Sequence, residues 1–434
     1  MTENKSFLKK FWWLMIILVV VAGVGVWMTL TQSDTPAETN KSSDNTNNSS
    51  QQGASQLSMD PKYPACPTDL VGSGLLTSPI LPLDKTTSII PLGNFTIPGH
   101  ILPVDHNYFA NFADPNDRVP VYAPGNLWLY QIMEDTVTDA TGAITERGYD
   151  FHYVVCRGIV LIISSPDTLK GNVAQLIQDN QSANCKTSPG KHAEGEVERQ
   201  CFYSVDYQTT AGELVGETGK YKDYTHSGEV FAFNYNMTPD PAVNWNLWSD
   251  SDYGHAFCLF DLYGGSLKSQ HEAKMGIYEV TGNDKVWRFR PRTIKPFCGQ
   301  INQDIPGTAQ GNWFGADKSD SATAIENSTL DITLSYDNID PAVGRIVIGG
   351  NISESGVIYF TPENAGTVNR KLSDVTADNN IYCYDNRLHH SGTELLGGKV
   401  LLQLVDPNHL KIEYMADSAC RGNEVFQNPF TYFR

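Results

Sequence analysis

The chain has 434 residues, with 31 Lys and Arg against 49 Asp and Glu, 36 Gly, 23 Pro, eight Cys and only 18% charged residues. So little charge, with so much Gly, Pro and aromatic content, excludes a coiled coil or long-helix protein, and an ordinary apolar share excludes a wholly disordered chain. A formal charge of −18 argues against nucleic acid, anionic lipid heads and polyanionic wall polymers as partners, since each needs a basic face.

Residues 11–30 (FWWLMIILVVVAGVGVWMTL) contain no charge. As a helix rising about 1.5 Å per residue they span about 30 Å, the thickness of a bilayer core. Lys5, Lys9 and Lys10 precede the run and no basic residue follows until Lys41. The positive-inside rule then predicts a cytoplasmic tail over 1–10, a single transmembrane helix over 11–30, and everything after it outside the cell membrane. The lipid bilayer is thus an expected partner of residues 11–30. A cleaved signal peptide is the rival reading, but the run is too long and WMTLTQSD lacks a small-x-small site. Residues 31–59 are dominated by Ser, Thr, Asn, Gln and Asp, which predicts a disordered stalk.

All eight cysteines lie after residue 60. An even count on the oxidising side of a membrane predicts a disulfide framework. Cys383 and Cys420 stand alone in the last 130 or so residues and are expected to pair. Cys185 and Cys201 flank a polar loop that a bridge would tie down. The partners of the remaining four stay open.

From residue 60 the sequence reads as mainly β: short alternating runs such as VPVY, LWLYQI, FHYVVC and IVLIIS, bounded by Gly and Pro. One segment differs. Leu169, Val173, Leu176 and Ile177 recur at helical spacing in TLKGNVAQLIQDNQ, predicting a single short helix packed on a sheet. We place a first β domain at 60–300 and a second at 301–434. In the second, runs such as DITLSY, GRIVIGG, GVIYF, KVLLQLVD and LKIEYM recur about every ten residues, the pattern of an antiparallel sandwich or small barrel.

One order of segments is more specific: PGH (98–100), PVDHNYF (103–109), VPVYAPGNLWLYQI (119–132), AGELVGETG (211–219) and FAFNYN (231–236). Over about residues 85–240 the chain resembles the lysostaphin-type zinc endopeptidases. The resemblance implies a barrel-sandwich hybrid fold with a lipoyl-like β core. It also implies a zinc held by a His, an Asp four residues on and an H-x-H strand, with a tyrosine-x-His element nearby. The scaffold segments match and the chemical positions depart. Ala110 stands four residues after His106, the H-x-H strand reads FAFNYN, and Ser164, Ser165 and Asp167 occupy the tyrosine-x-His region. Asp105 and His106 are neighbours, and strand alternation would send them to opposite faces. A weaker resemblance, to the G-x-W opening of lipocalin-like barrels, rests on Gly311 and Trp313.

The remaining candidates follow from residue type. His100, His106 and His226 are the candidate metal ligands, with His152 the other histidine of that region. Asp114, Asn116 and Asp117 form a turn with oxygen donors, and His389–His390 an adjacent pair. Trp128, Trp245, Trp248 and Tyr253, beside Asp and Asn, are the candidate ligand-binding aromatics. No P-loop, dinucleotide fingerprint or serine-hydrolase motif occurs. The expectation is a non-catalytic binding or scaffolding ectodomain at the cell envelope, without cofactor and meeting an envelope peptide or glycan. The alternatives are an active zinc endopeptidase and a purely structural ectodomain.

Overall fold

The computed structural model describes residues 54–434 apart from 96–99, 112–117, 165, 180–182, 191–194, 219–225, 249–250, 282–285, 316–329, 386–394 and 417–418. The chain runs β1 (Ser88–Ile90), β2 (His106–Ala110), β3 (Val119–Tyr122), β4 (Trp128–Thr138), β5 (Ile144–Cys156), β6 (Ile159–Ser164) and β7 (Pro166–Leu169). Helix α1 (Gly171–Asp179) follows, then β8 (Asn184–Pro189), β9 (Val197–Gln208), β10 (Leu214–Thr218) and β11 (His226–Asn234). Beyond them come helix α2 (Gly265–Glu272) and the hairpin β12 (Gly276–Thr281) with β13 (Val286–Pro291). The last eight strands are β14 (Gly311–Trp313), β15 (Ile332–Tyr336), β16 (Gly344–Ile348), β17 (Gly356–Phe360), β18 (Tyr382–Asp385), β19 (Lys399–Asp406), β20 (His409–Met415) and β21 (Phe430–Phe433).

An eight-stranded sheet in the order β1-β2-β11-β6-β5-β4-β9-β8 dominates the first half, beside a three-stranded sheet β3-β10-β7. Alternation along β5 sorts its side chains. Phe151, Tyr153 and Val155 enter the main core with Ile132, Ile163 and Val230, while Val154 joins a satellite cluster with Tyr63, Tyr130 and Val160 on the opposite face. Helix α1 closes the main core as its spacing predicts: Val173 is fully buried and Leu176 and Ile177 pack beside it. Helix α2 was not anticipated. Its sequence GSLKSQHE carries no apolar stripe; the buried His271 ring stacks on Tyr263, Leu267 packs against the main core and Lys268 pairs with Asp261 at 2.6 Å.

The last eight strands form two four-stranded antiparallel sheets, β14-β15-β16-β17 and β18-β19-β20-β21, facing each other across a second core. Trp313, Leu334, Ile346, Phe360, Leu402 and Ile412 fill it. Gly344 is required here, since a Cβ would lie 2.2 Å from the Phe360 ring. The outer face of β14–β17 is covered as well. Val347 and Val357 pack on Phe95 and Ile101, and the Thr333 hydroxyl donates to the Ile101 carbonyl at 2.9 Å.

The sequence-derived fold class needs correction. Among the described residues no helix is long and apolar enough to cross a membrane. A spanning helix is therefore not part of the described fold; the segments expected as cytoplasmic tail, transmembrane helix and most of the stalk (1–53) lie outside the described residues. Nor is the first half well described as a lipoyl-like hybrid. Strands β4, β5 and β9, of 11, 13 and 12 residues, build one broad antiparallel sheet that short hybrid strands would not make.

Four disulfides account for all eight cysteines: Cys66–Cys156, Cys185–Cys201, Cys258–Cys298 and Cys383–Cys420. The two pairs expected from spacing form. Cys185 and Cys201 are direct cross-strand partners of β8 and β9.

Candidate functional site

Two of the segments that carry the peptidase resemblance, PVDHNYF and FAFNYN, meet as the β2–β11 pair of the large sheet, beside β6 and β5, whereas VPVY (β3) and LVGET (β10) pair in the three-stranded sheet and LWLYQI runs into β4. Across β2, β11 and β6, His106 faces Phe231, Tyr108 faces Glu229, and Glu229 faces Ser164. Asp105 precedes β2 rather than lying in it, so alternation does not apply. Instead of diverging, the Asp105 carboxylate meets the His106 ring, Oδ1 to Nδ1 at 2.9 Å. In the tautomer that donates Nδ1–H to the carboxylate, Nε2 is left as the acceptor. Nε2 makes no hydrogen bond among the described residues, and its nearest charged neighbour is Glu229 Oε2 at 4.0 Å. The ring itself is 4% exposed, wedged between Phe231, Tyr108 and the half-buried His100.

The row continues with Ser164, whose hydroxyl donates to Asp150 Oδ1 at 2.6 Å. Burial pushes the Asp150 carboxyl up to about 7, against the Ser164 hydrogen bond and with help from the charges of Glu229 and Asp135. Burial also raises Glu229, opposed by His106 and reinforced by Asp105. It lowers His100, with His106 adding to the effect and Asp105 opposing it. On the same face, His152 is pushed down to about 4 by burial alone.

The row does not fit a hydrolytic zinc. Such a metal needs about three convergent protein ligands at about 2.0–2.2 Å and an open water position. His106 Nε2 and Glu229 Oε2 are the donors that face each other, and Phe231 fills the position directly across from His106. Among the described residues the sole convergent triple of donor atoms is Cys383, Cys420 and Glu424, and its two sulfurs are bonded to each other. The three candidate histidines are not brought together. His100 and His106 have ring centres 5.7 Å apart, but His226 pairs with Ala110 at the far end of β2, four residues or about 13 Å along the strand. The side chain of His226, the turn at 114–117 and the pair His389–His390 lie outside the described residues.

The candidate aromatics assemble, but largely inward. Trp245, Trp248 and Tyr253 pack in series, tilted against one another, with ring centres 5.1 Å apart at each step. Trp248 is 3% exposed and belongs to the main core, with Trp245 and Tyr253 half-buried against it. The Trp245 indole N–H donates to the Asp240 carbonyl at 2.9 Å. Trp128 lies elsewhere, edge-on to Tyr63 over the satellite cluster. The four do not form one groove.

Sequence reading missed an open cleft of about 640 Å³ where the two cores adjoin. Arg292, Lys295, Gln300, Tyr336, Lys371 and Ser373 are among its walls. These residues span about 80 positions and carry no motif. The one available hint was the basic cluster RFRPRTIK in an acidic chain. Glu229 and Asp150 were missed for a different reason, since only the strand register shows that they share a face.

No family model, no characterised protein and no solved structure matches this chain.

Proposed function

We propose that the chain is an extracytoplasmic, disulfide-braced binding or scaffolding protein of the cell envelope, whose peptidase-like segment does not hydrolyse peptide bonds. The observation that carries this reading is what faces His106. Where a hydrolytic site would need a second metal ligand and a base, the sheet offers Phe231 and a half-buried Glu229. Phe231 supplies no ligand, and Glu229 is a single carboxylate where the site would need both a ligand and a base; losing either costs orders of magnitude in rate. The extracytoplasmic address is supported by four disulfides with no cysteine left over, an arrangement that reducing compartments do not maintain.

One observation favours the second reading, a zinc endopeptidase: Asp105 orients the His106 ring as a carboxylate orients a metal-bound histidine, and Nε2 is left open. Elemental analysis of the dialysed protein and a peptidoglycan-release assay separate the two. The binding reading expects well under one zinc per chain and no release. Near one zinc per chain, lost together with activity in His106→Ala, would replace it with the peptidase.

A further inference from the structure

The cleft between the two cores differs in charge from the rest of the molecule. Arg292, Lys295 and Lys371 line it in a chain of net charge −18. A single lining residue is acidic, Asp337, and its carboxylate is already engaged by Arg345 at 3.2 Å and Arg290 at 3.7 Å. Its Oδ1 also accepts from the backbone N–H groups of Ile339 and Asp340. Lys295 and Lys371 form no ion pair among the described residues.

Arg292 is the most telling of these residues. It is 6% exposed, yet no carboxylate contacts it among the described residues. Nε donates to the Pro296 carbonyl at 2.8 Å and Nη1 to the Asn338 carbonyl. Nη2 has no hydrogen-bond partner among the described residues, although the side chain borders the cleft. A buried guanidinium that contacts no carboxylate is costly; the nearby charge of Asp337 offsets part of that cost, and a negatively charged ligand in the cleft would offset more.

We propose that this cleft is a binding site for a small carboxylated sugar of the uronic-acid type, with its carboxylate held by Arg292 and steered by Lys295 and Lys371. With Nε and Nη1 already donating to backbone carbonyls, Nη2 is the Arg292 nitrogen left to give a charge-assisted hydrogen bond to a carboxylate oxygen. Thr361 and Gln300 bring polar side chains suited to ring hydroxyls, Ser373 and Tyr336 are hydrogen-bonded to each other at the wall, and Ile294 and Pro362 add apolar surface. A volume of about 640 Å³ lies within the range of small-molecule sites. The site shares no residue with the His106 row and does not depend on the reading of that row.

The test is calorimetric titration of the full-length protein with glucuronate, with glucose, and with a short peptide bearing either a free or an amidated C-terminus. Glucuronate is expected to bind saturably, and glucose at least about tenfold more weakly. Binding should weaken further as salt is raised. Lys295→Gln and Lys371→Gln should each reduce affinity about three- to tenfold with unchanged melting temperature. Arg292→Lys should lose more. If that buried substitution prevents folding, the Lys295→Gln/Lys371→Gln double variant decides the matter. Equal binding of glucose and glucuronate, no saturable binding of glucuronate, or a double variant that binds as tightly as the parent would each overturn the proposal. Binding of the free-acid peptide but not of glucuronate would overturn the sugar assignment and give the cleft to a peptide terminus.

Discussion

Trp313 and Phe314 are neighbours in the chain that anchor different cores. Trp313 is fully buried in the second, where its indole N–H donates to the Ala309 carbonyl at 2.8 Å and Arg434 stacks over it at 4.2 Å. Phe314 is 2% exposed in the first. Its backbone pairs with Phe433 through two hydrogen bonds of 2.8 and 2.9 Å, which joins the first strand of the last eight to the final one.

Because one dipeptide serves both cores, damage to either should be felt by both. Trp313→Ala and Phe314→Ala are each expected to destabilise by about 3–5 kcal/mol. Urea unfolding followed by tryptophan fluorescence and by near-ultraviolet circular dichroism should remain a single shared transition. Two transitions, each moved by only one of the substitutions, would show that the cores unfold independently.

The disulfides are expected to differ in worth according to the loop they close. Cys66–Cys156 spans 90 residues and Cys185–Cys201 only 16. Chain entropy assigns about 4–5 kcal/mol to the first and about 3 kcal/mol to the second. Paired Cys→Ser variants compared by chemical denaturation should preserve that order. Mass spectrometry of the unreduced digest should recover all four linked peptides, and thiol labelling of the denatured, unreduced protein should find none.

A third expectation concerns pH. Asp150 titrates near 7 in the fold, against an ordinary value of 3.8. Between about pH 4 and pH 7 the folded protein therefore holds a proton that the unfolded chain has released, so this residue's contribution to stability falls as pH rises. His152 and His271, both pushed down to about 4 by burial, act in the opposite sense: between about pH 4 and 6.5 the unfolded chain binds protons that the fold excludes. Comparing Asp150→Asn with the parent separates the two effects. The variant's advantage should grow from near zero at about pH 4 to about 2–4 kcal/mol at about pH 8. An advantage that does not change with pH would mean that Asp150 ionises normally.

Local signals carried much of the fold. Alternation marked most strands, helical spacing marked α1, and cysteine spacing gave two of the four bridges. Signals failed where structure depends on partners distant in sequence. Cys66 pairs with Cys156 because β5 ends beside residues 64–66, which no spacing rule shows. Asp105 and His106 looked divergent only because the start of β2 could not be fixed to one residue. Aromatic residues looked like a binding surface because a stack over a core and a stack over a groove have the same composition. The cleft was illegible for a related reason: Arg292 and Lys371 are remote in sequence and become neighbours only when the second core docks beside the first.

The covering of β14–β17 on both faces has an evolutionary consequence. An eight-stranded antiparallel unit with one wet face can be cut out, duplicated and spliced next to new neighbours. This one would carry Val347 and Val357 into solvent, around an Arg345 stripped of its Phe95 ring contact. It is therefore a poor candidate for domain shuffling, and the two halves should be inherited together, with changes at Phe95 or Ile101 answered by changes on β16 and β17.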